Sequence, residues 1–185
     1  MFAIPYRTGA IRPVETENQD PGRVRVEAIF AATYGPRPAS RQIRLRFLGI
    51  PVRVHRKIAP ALERVAARLA RARQRDASLA PFLRRLSGGF AARKIAGTER
   101  TSAHAYGIAI DLHTSVSDYW RWDKDKKWRN RIPQAIVDAF EAEGFIWGGR
   151  WYHYDTMHFE YRPELFGPPC REPTGSRRPL GNRGI

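Results

Sequence analysis

The chain has 185 residues, one cysteine and a formal charge of +15 at pH 7. That length suits one domain able to bury a core without staples, and the lone Cys170 excludes an intrachain disulfide. No apolar run approaches the roughly 20 residues needed to span a bilayer, and Met1 to Arg7 lack the charged-then-apolar order of a secretion signal. The arginine-rich balance favours polyanions such as nucleic acid, anionic lipid or bacterial wall polymer. Nucleic acid is disfavoured as the main ligand, because no helix-turn-helix signature, zinc-finger spacing or aromatic nucleic-acid motif accompanies the charge.

Residues 1–40 are interrupted by Pro5, Pro13, Pro21, Pro36 and Pro38 and by Gly9, Gly22 and Gly35. They predict an extended arm strapped onto the domain, with one short strand among Val24, Val26 and Ile29-Phe30. Ile43, Leu45 and Phe47 alternate with Arg44 and Arg46, and Val52 and Val54 alternate with Arg53, which predicts a hairpin around Gly49-Ile50-Pro51 with a basic solvent face. From Ile58 the period changes: Ile58, Leu62, Val65 and Leu69 make one helical stripe, Pro60 is tolerated in the first turn, and arginines crowd the other faces. A second short helix runs through Pro81 to Leu86, Ser87-Gly88-Gly89 ends it, and Phe90 to Thr101 is a long polar loop, of a length that is often functional.

Thr101 to His113 reads as a polar loop entering a buried strand, since Gly107, Ile108, Ala109 and Ile110 are small or apolar between polar flanks. Asp111 falls inside that apolar run, where an unpaired charge is expensive. A metal shared with His104 neutralises it, and imidazole plus carboxylate is a common zinc ligand set. A third ligand comes from Trp151 to Arg162, where His158 opens an aromatic, strand-like run and Asp155 precedes it by three positions. The residues alone leave alternatives open. Strand alternation sets Glu160 on the face of His158, making it a second candidate base, and His153 is a second candidate ligand.

Between these stretches, Trp120, Trp122 and Trp128 sit among charged residues and predict either a substrate rim or, preferably, anchors of an irregular insertion. Pro133 opens a helix with Ile136, Val137 and Phe140 facing inward and Gly144 ending it. Phe145-Ile146-Trp147 reads as a strand and Gly148-Gly149 as the following turn.

Ser102-x-His104-x-x-Gly107-x-Ala109-x-Asp111, followed by Asp155-x-x-His158-Phe159, resembles the M15 zinc peptidases. These include D-alanyl-D-alanine carboxypeptidases and dipeptidases and L-alanyl-D-glutamate endopeptidases that cut peptidoglycan stem peptides. Gly144-Phe145-x-Trp147-Gly148-Gly149 resembles the carboxypeptidase and endolysin-like branch, and the likeness spans Phe90 to Phe166. The resemblance implies a zinc ion on His104, Asp111 and His158, with Asp155 as the catalytic base. It also implies that an arginine upstream of the Ser-x-His stretch reaches the substrate; this is Arg93, with Arg100 its rival. Ser102 then bonds the substrate or supports the loop. Many relatives carry Glu where this chain has Asp155, and aspartate there resembles the endopeptidase-type members. Relatives usually carry Asn at the position of His113, which is not counted as a ligand.

The expected architecture is α+β: an extended N-terminal arm (1–40), a zinc peptidase domain (41–166) whose small antiparallel sheet carries the ligands under helices packed on one side, and a disordered Pro/Gly/Arg-rich tail (167–185). Trp151 and Tyr154 are expected to wall the substrate cleft, and Glu160 to orient a ligand imidazole. The expected partners are peptidoglycan peptides and anionic wall polymers, the expected state is a monomer, and the expected location is the cell envelope or periplasm. A rival reading is a non-catalytic, basic wall-binding module with a structural metal.

Overall fold

A computed structural model describes residues 3–36, 38–95 and 97–167. Cys170 and the tail beyond Gly167 lie outside the described residues. Helices accompany two antiparallel sheets, an α+β arrangement.

The first regular element is a helix, α1 (Glu27–Tyr34), where alternation had predicted a strand. The apolar residues that become buried, Phe30 and Tyr34, are four apart and share a helical face, whereas Val24 and Val26 stay exposed. Next, β1 (Gln42–Phe47) and β2 (Ile50–His55) pair as the predicted hairpin. The turn falls on Leu48-Gly49, both at positive φ of 51° and 85°. Two such residues match the twist of the flanking strands, so Ile50 and Pro51 already belong to β2. Arg44 and Arg53 oppose each other on the exposed face.

Helix α2 (Ala59–Arg75) buries Leu62, Val65 and Leu69 completely, as its stripe predicts, and leaves its arginines in solvent. Arg64 and Arg68 clasp Glu143 at 2.5 and 2.6 Å, tying α2 to the turn after the later helix. After α3 (Ala80–Leu83), the stretch expected only to end a helix becomes an edge strand, β3 (Leu86–Gly88). It pairs with β4 (Ala109–Leu112), which follows a single helical turn, α4 (Ala103–Tyr106). Helix α5 (Gln134–Glu141) leads to β5 (Phe145–Trp147), and β6 (His158–Tyr161) closes the sheet in the order β3-β4-β6-β5.

The core lies between this sheet and the helices. Phe140 of α5 stacks on Phe159 of β6, with ring centroids 4.0 Å apart and planes 19° apart. Residues 3–26 run as a strap held by side chains. Tyr6 donates to Glu141 at 2.5 Å and accepts the Trp147 backbone N–H at 2.8 Å, and Trp151 donates to the Pro21 carbonyl at 2.8 Å. Arg162 reaches the Gly22 carbonyl at 2.7 Å. Among the described residues no helix is long and apolar enough to cross a membrane.

Because Phe140 fills the space behind the strand that carries His158, Phe140→Ala is expected to cost about 3–5 kcal/mol, read as a lowered urea midpoint with an unchanged slope. A loss below about 1 kcal/mol, the scale of a tolerated hydrophobic swap, would mean that the stacked pair does not hold β6 in place.

Candidate active site

Two strands and one helical turn deliver the clustered side chains. Asp111 of β4 lies directly opposite His158 of β6 in the antiparallel register, so their side chains share one face of the sheet. His104 comes from α4, not from a strand. Ser102 caps that turn by accepting the His104 backbone N–H at 3.3 Å, and Gly107 ends it at φ 70°, a conformation glycine adopts without strain. The turn returns the chain into β4 seven residues on, which brings His104 over Asp111.

The cluster is tight. His104 Nε2 lies 3.1 Å from Asp111 Oδ2, His158 Nδ1 lies 3.0 Å from Asp111 Oδ1, and the two imidazole nitrogens are 3.2 Å apart. One donor atom from each of the three residues falls within 4.8 Å of the others, close enough to share a metal ion. The far nitrogens are held as well. His104 Nδ1 is 2.7 Å from the Gly89 carbonyl, and His158 Nε2 is 3.3 Å from Glu160. A carbonyl can only accept, so His104 Nδ1 carries the proton and its Nε2 presents a lone pair. The carboxylate behind His158 imposes the opposite tautomer, with Nδ1 turned to the cluster. Two imidazoles and a carboxylate, each with a lone pair converging on one point, fit zinc.

Asp155 stands beside them. The chain turns at Thr156-Met157, with the His158 N–H donating to the Asp155 carbonyl at 3.1 Å, so this residue doubles back instead of continuing β6. Its own N–H donates to the Gly148 carbonyl at 3.0 Å. A Cβ on Gly148 would drive into the Asp155 carbonyl oxygen, so only glycine lets the two backbones approach this closely. The Asp155 Oδ1 is buried without a hydrogen-bond partner. Buried polar oxygens are seldom left so, and an unpartnered carboxylate oxygen at a cleft wall is ready to accept a proton.

The charges explain the titration of the group. Burial pushes Asp155 up to about 6, assisted by the negative Asp111 and opposed by His158. Burial also disfavours ionised Asp111, but the charge and hydrogen bond of His104, with those of His158, outweigh it and hold the carboxyl well below its usual range. For His158, burial favours the neutral ring, yet hydrogen bonds to Asp111 and Glu160 prevail and raise it to about 10.

These residues line a cleft of about 310 Å³ that also takes in Ser102, Arg93 and Trp151. Of the sequence-predicted site residues, His104, Asp111, His158, Asp155, Arg93, Ser102 and Trp151 therefore meet in one place. Tyr154 does not line it. That side chain is fully buried, its hydroxyl bonds to Asp123 and its ring packs edge-on to Trp128, so it anchors the 118–131 loop instead of walling the cleft. Arg100 is not a cleft residue either; its carbonyl accepts the Ile95 N–H. His113 caps the turn after β4, accepting the Ser115 N–H at 3.2 Å, away from the cleft. His153 lines the cleft but lies outside the cluster, with its Nδ1 2.7 Å from Asp20. Trp122 reaches the rim, whereas Trp128 is an anchor, donating to the Gly149 carbonyl at 2.9 Å.

Sequence reasoning missed Arg23, Arg25, Tyr119 and Arg121, all of which line the cleft. Two of these come from the strap, and among 33 lysines and arginines no spacing marks them. The fold defines the class: a buried His-Asp-His cluster able to hold a divalent cation, with a carboxylate beside it, in a cleft ringed by guanidiniums.

Residues 96–161 match the family model described as D-alanyl-D-alanine carboxypeptidase, one of the M15 peptidases. That segment is thus similar to the M15 peptidases, a family of hydrolases. It contains His104, Asp111, Asp155 and His158, while the strap, the hairpin and α2 lie outside it. No solved structure gives a significant match.

A ligand imidazole must be neutral, so a cation entering the cluster has to displace the proton that His158 otherwise retains up to about pH 10. Zinc binding is therefore expected to release protons and to strengthen steadily from pH 6 to pH 8, about tenfold per pH unit for each proton released. Calorimetric titration in buffers of different ionisation enthalpy measures both. Binding without proton release, at an affinity independent of pH, would remove His158 from the ligand set.

Proposed function

We propose that the protein is a zinc-dependent peptidase that hydrolyses stem peptides of bacterial peptidoglycan. The observation that carries this reading is the convergence of His104, Asp111 and His158, in tautomers fixed from behind, next to the buried and unpartnered oxygen of Asp155. A zinc ion held by the three residues would lower the pKa of water towards roughly 7 and polarise the scissile carbonyl.

The protein's own groups supply the rest. Asp155 accepts a proton from the attacking water and passes it to the leaving amine, work suited to a carboxylate whose burial keeps it near neutrality. Arg93 steadies the charge developing on the carbonyl oxygen or holds a substrate carboxylate, since a guanidinium offers several donors in one plane. Arg23, Arg25 and Arg121 make the same cleft strongly cationic and suited to acidic peptides. Trp151, its ring centroid 5.7 Å from that of His158, offers an apolar wall. Ser102 acts through its cap on α4 by holding His104 in place.

The family description favours release of a terminal D-alanine, whereas an aspartate base resembles the endopeptidase-type members. Digestion of purified peptidoglycan, with products identified by mass, separates the two. Terminal D-alanine marks a carboxypeptidase, and new D-glutamyl amino termini mark an endopeptidase. Chelator is expected to abolish either product, and Asp155→Asn to bind zinc with parental stoichiometry while turnover falls by about a hundredfold or more. Near-parental turnover by that variant would exclude Asp155 as the base. Salt-sensitive wall binding that survives chelation, with no product from any wall in the presence of zinc, would replace this reading with that of a binding module.

A further inference from the structure

Behind the ring of His158 lies a buried group of charges centred on Glu160. Glu160 is 1% exposed, yet three polar or charged side chains gather around it. Its Oε2 is 3.3 Å from His158 Nε2, its Oε1 accepts from Arg162 Nη1 at 3.1 Å, and the same oxygen is 3.8 Å from Arg25 Nε. Arg162 is wholly buried and is fixed in turn by Glu164 at 2.5 Å and the Gly22 carbonyl at 2.7 Å. Arg25 also reaches the Thr101 carbonyl at 3.4 Å, just ahead of the α4 cap.

Burying a carboxylate and two guanidiniums is strongly unfavourable before they pair. A leucine or methionine could fill such space without that cost. What the arrangement achieves is directional: an ionised acceptor, itself immobilised by two cations, faces the nitrogen of His158 that must carry the proton if the other is to bind metal. Glu160 and His158 are two residues apart on β6 and so on one face, which makes the contact a property of the strand.

We propose that Glu160 is a positioning residue that holds His158 with Nδ1 towards the metal, and that Arg25, from the N-terminal strap, acts through Glu160 as part of the same device. This rests on the metal reading above. It assigns to Arg25, outside the segment that matches the family, a role in metal retention as well as in lining the cleft.

The test measures zinc affinity by competition with a chromophoric chelator for the full chain and for Glu160→Gln, Glu160→Ala and Arg25→Met, with far-ultraviolet circular dichroism establishing that each is folded. Affinity is expected to fall roughly 10- to 100-fold for Glu160→Ala, less for Glu160→Gln, whose amide oxygen still accepts, and least for Arg25→Met, in that order. Histidine ¹⁵N–¹H correlation spectra supply a readout that mere support of the fold would not move. In the zinc-loaded parent His158 is expected to be protonated on Nε2 alone, and in Glu160→Ala that preference is expected to weaken. Should Glu160→Ala fail to fold, the Gln variant and the parental spectrum decide the matter. Unchanged affinity in the folded variants, or metal on Nε2 of His158, would overturn the proposal. A parent chain that binds no zinc would instead overturn the metal reading on which it stands.

Discussion

The structure depends on one electrostatic problem, a carboxylate set into the middle of a hydrophobic sheet. Asp111 lies on β4 among the fully buried Ile108, Ile110 and Leu112, and isolated charge in such a place is not tolerated. The solution is architectural. Antiparallel register puts His158 directly across, and a capped helical turn folds His104 back over the same carboxylate. The aromatic packing of α5 on β6 and the Gly148–Asp155 approach then fix the two halves so that a second carboxylate, Asp155, falls beside the cluster. Much of the fold is a means of keeping these acidic and basic groups within a few ångströms of one another in a largely buried setting.

Carboxylates divided between environments in this way acquire different tasks. Asp111 is flanked by imidazoles and stays ionised, whereas Asp155 is buried with an unpartnered oxygen and is lifted towards neutrality. On the proposed reading, the same residue type serves as a ligand in one position and is poised for proton transfer in the other. Glu160, held far below its usual range despite burial by Arg25, His158 and Arg162, takes neither task and stands behind the ring of His158.

The helical stripe of α2, the alternating hairpin, the helix opened by Pro133 and the convergence of His104, Asp111 and His158 were all legible in sequence, because each is encoded by a period or by chemistry that local context cannot satisfy. What was not legible depended on distance. Tyr154 reads as a cleft residue by its place between Trp151 and His158, but its hydroxyl is claimed by Asp123 across the fold. Residues 24–30 read well enough as a strand, and only the four-residue interval between Phe30 and Tyr34, both in the core, marks the stretch from Glu27 as helical. His104 reads as a loop residue because its helical turn is a single one, too short for any period to register. Arg23 and Arg25 carry no local mark at all, since what singles them out is the Asp20 and Glu160 carboxylates and the His153 carbonyl that they meet.

That last feature bears on how such a protein can change. Arg25 faces the cleft and also neutralises the carboxylate that backs His158, so one side chain is answerable both to whatever enters the cleft and to the centre that acts on it. On the proposed reading, a lineage that altered the strap to suit a different peptide would disturb the grip on the ion at the same time. Novelty in substrate choice is then easier to find at Arg23, Arg121 or Trp122, which line the cleft without touching Glu160, than at the position that serves both ends.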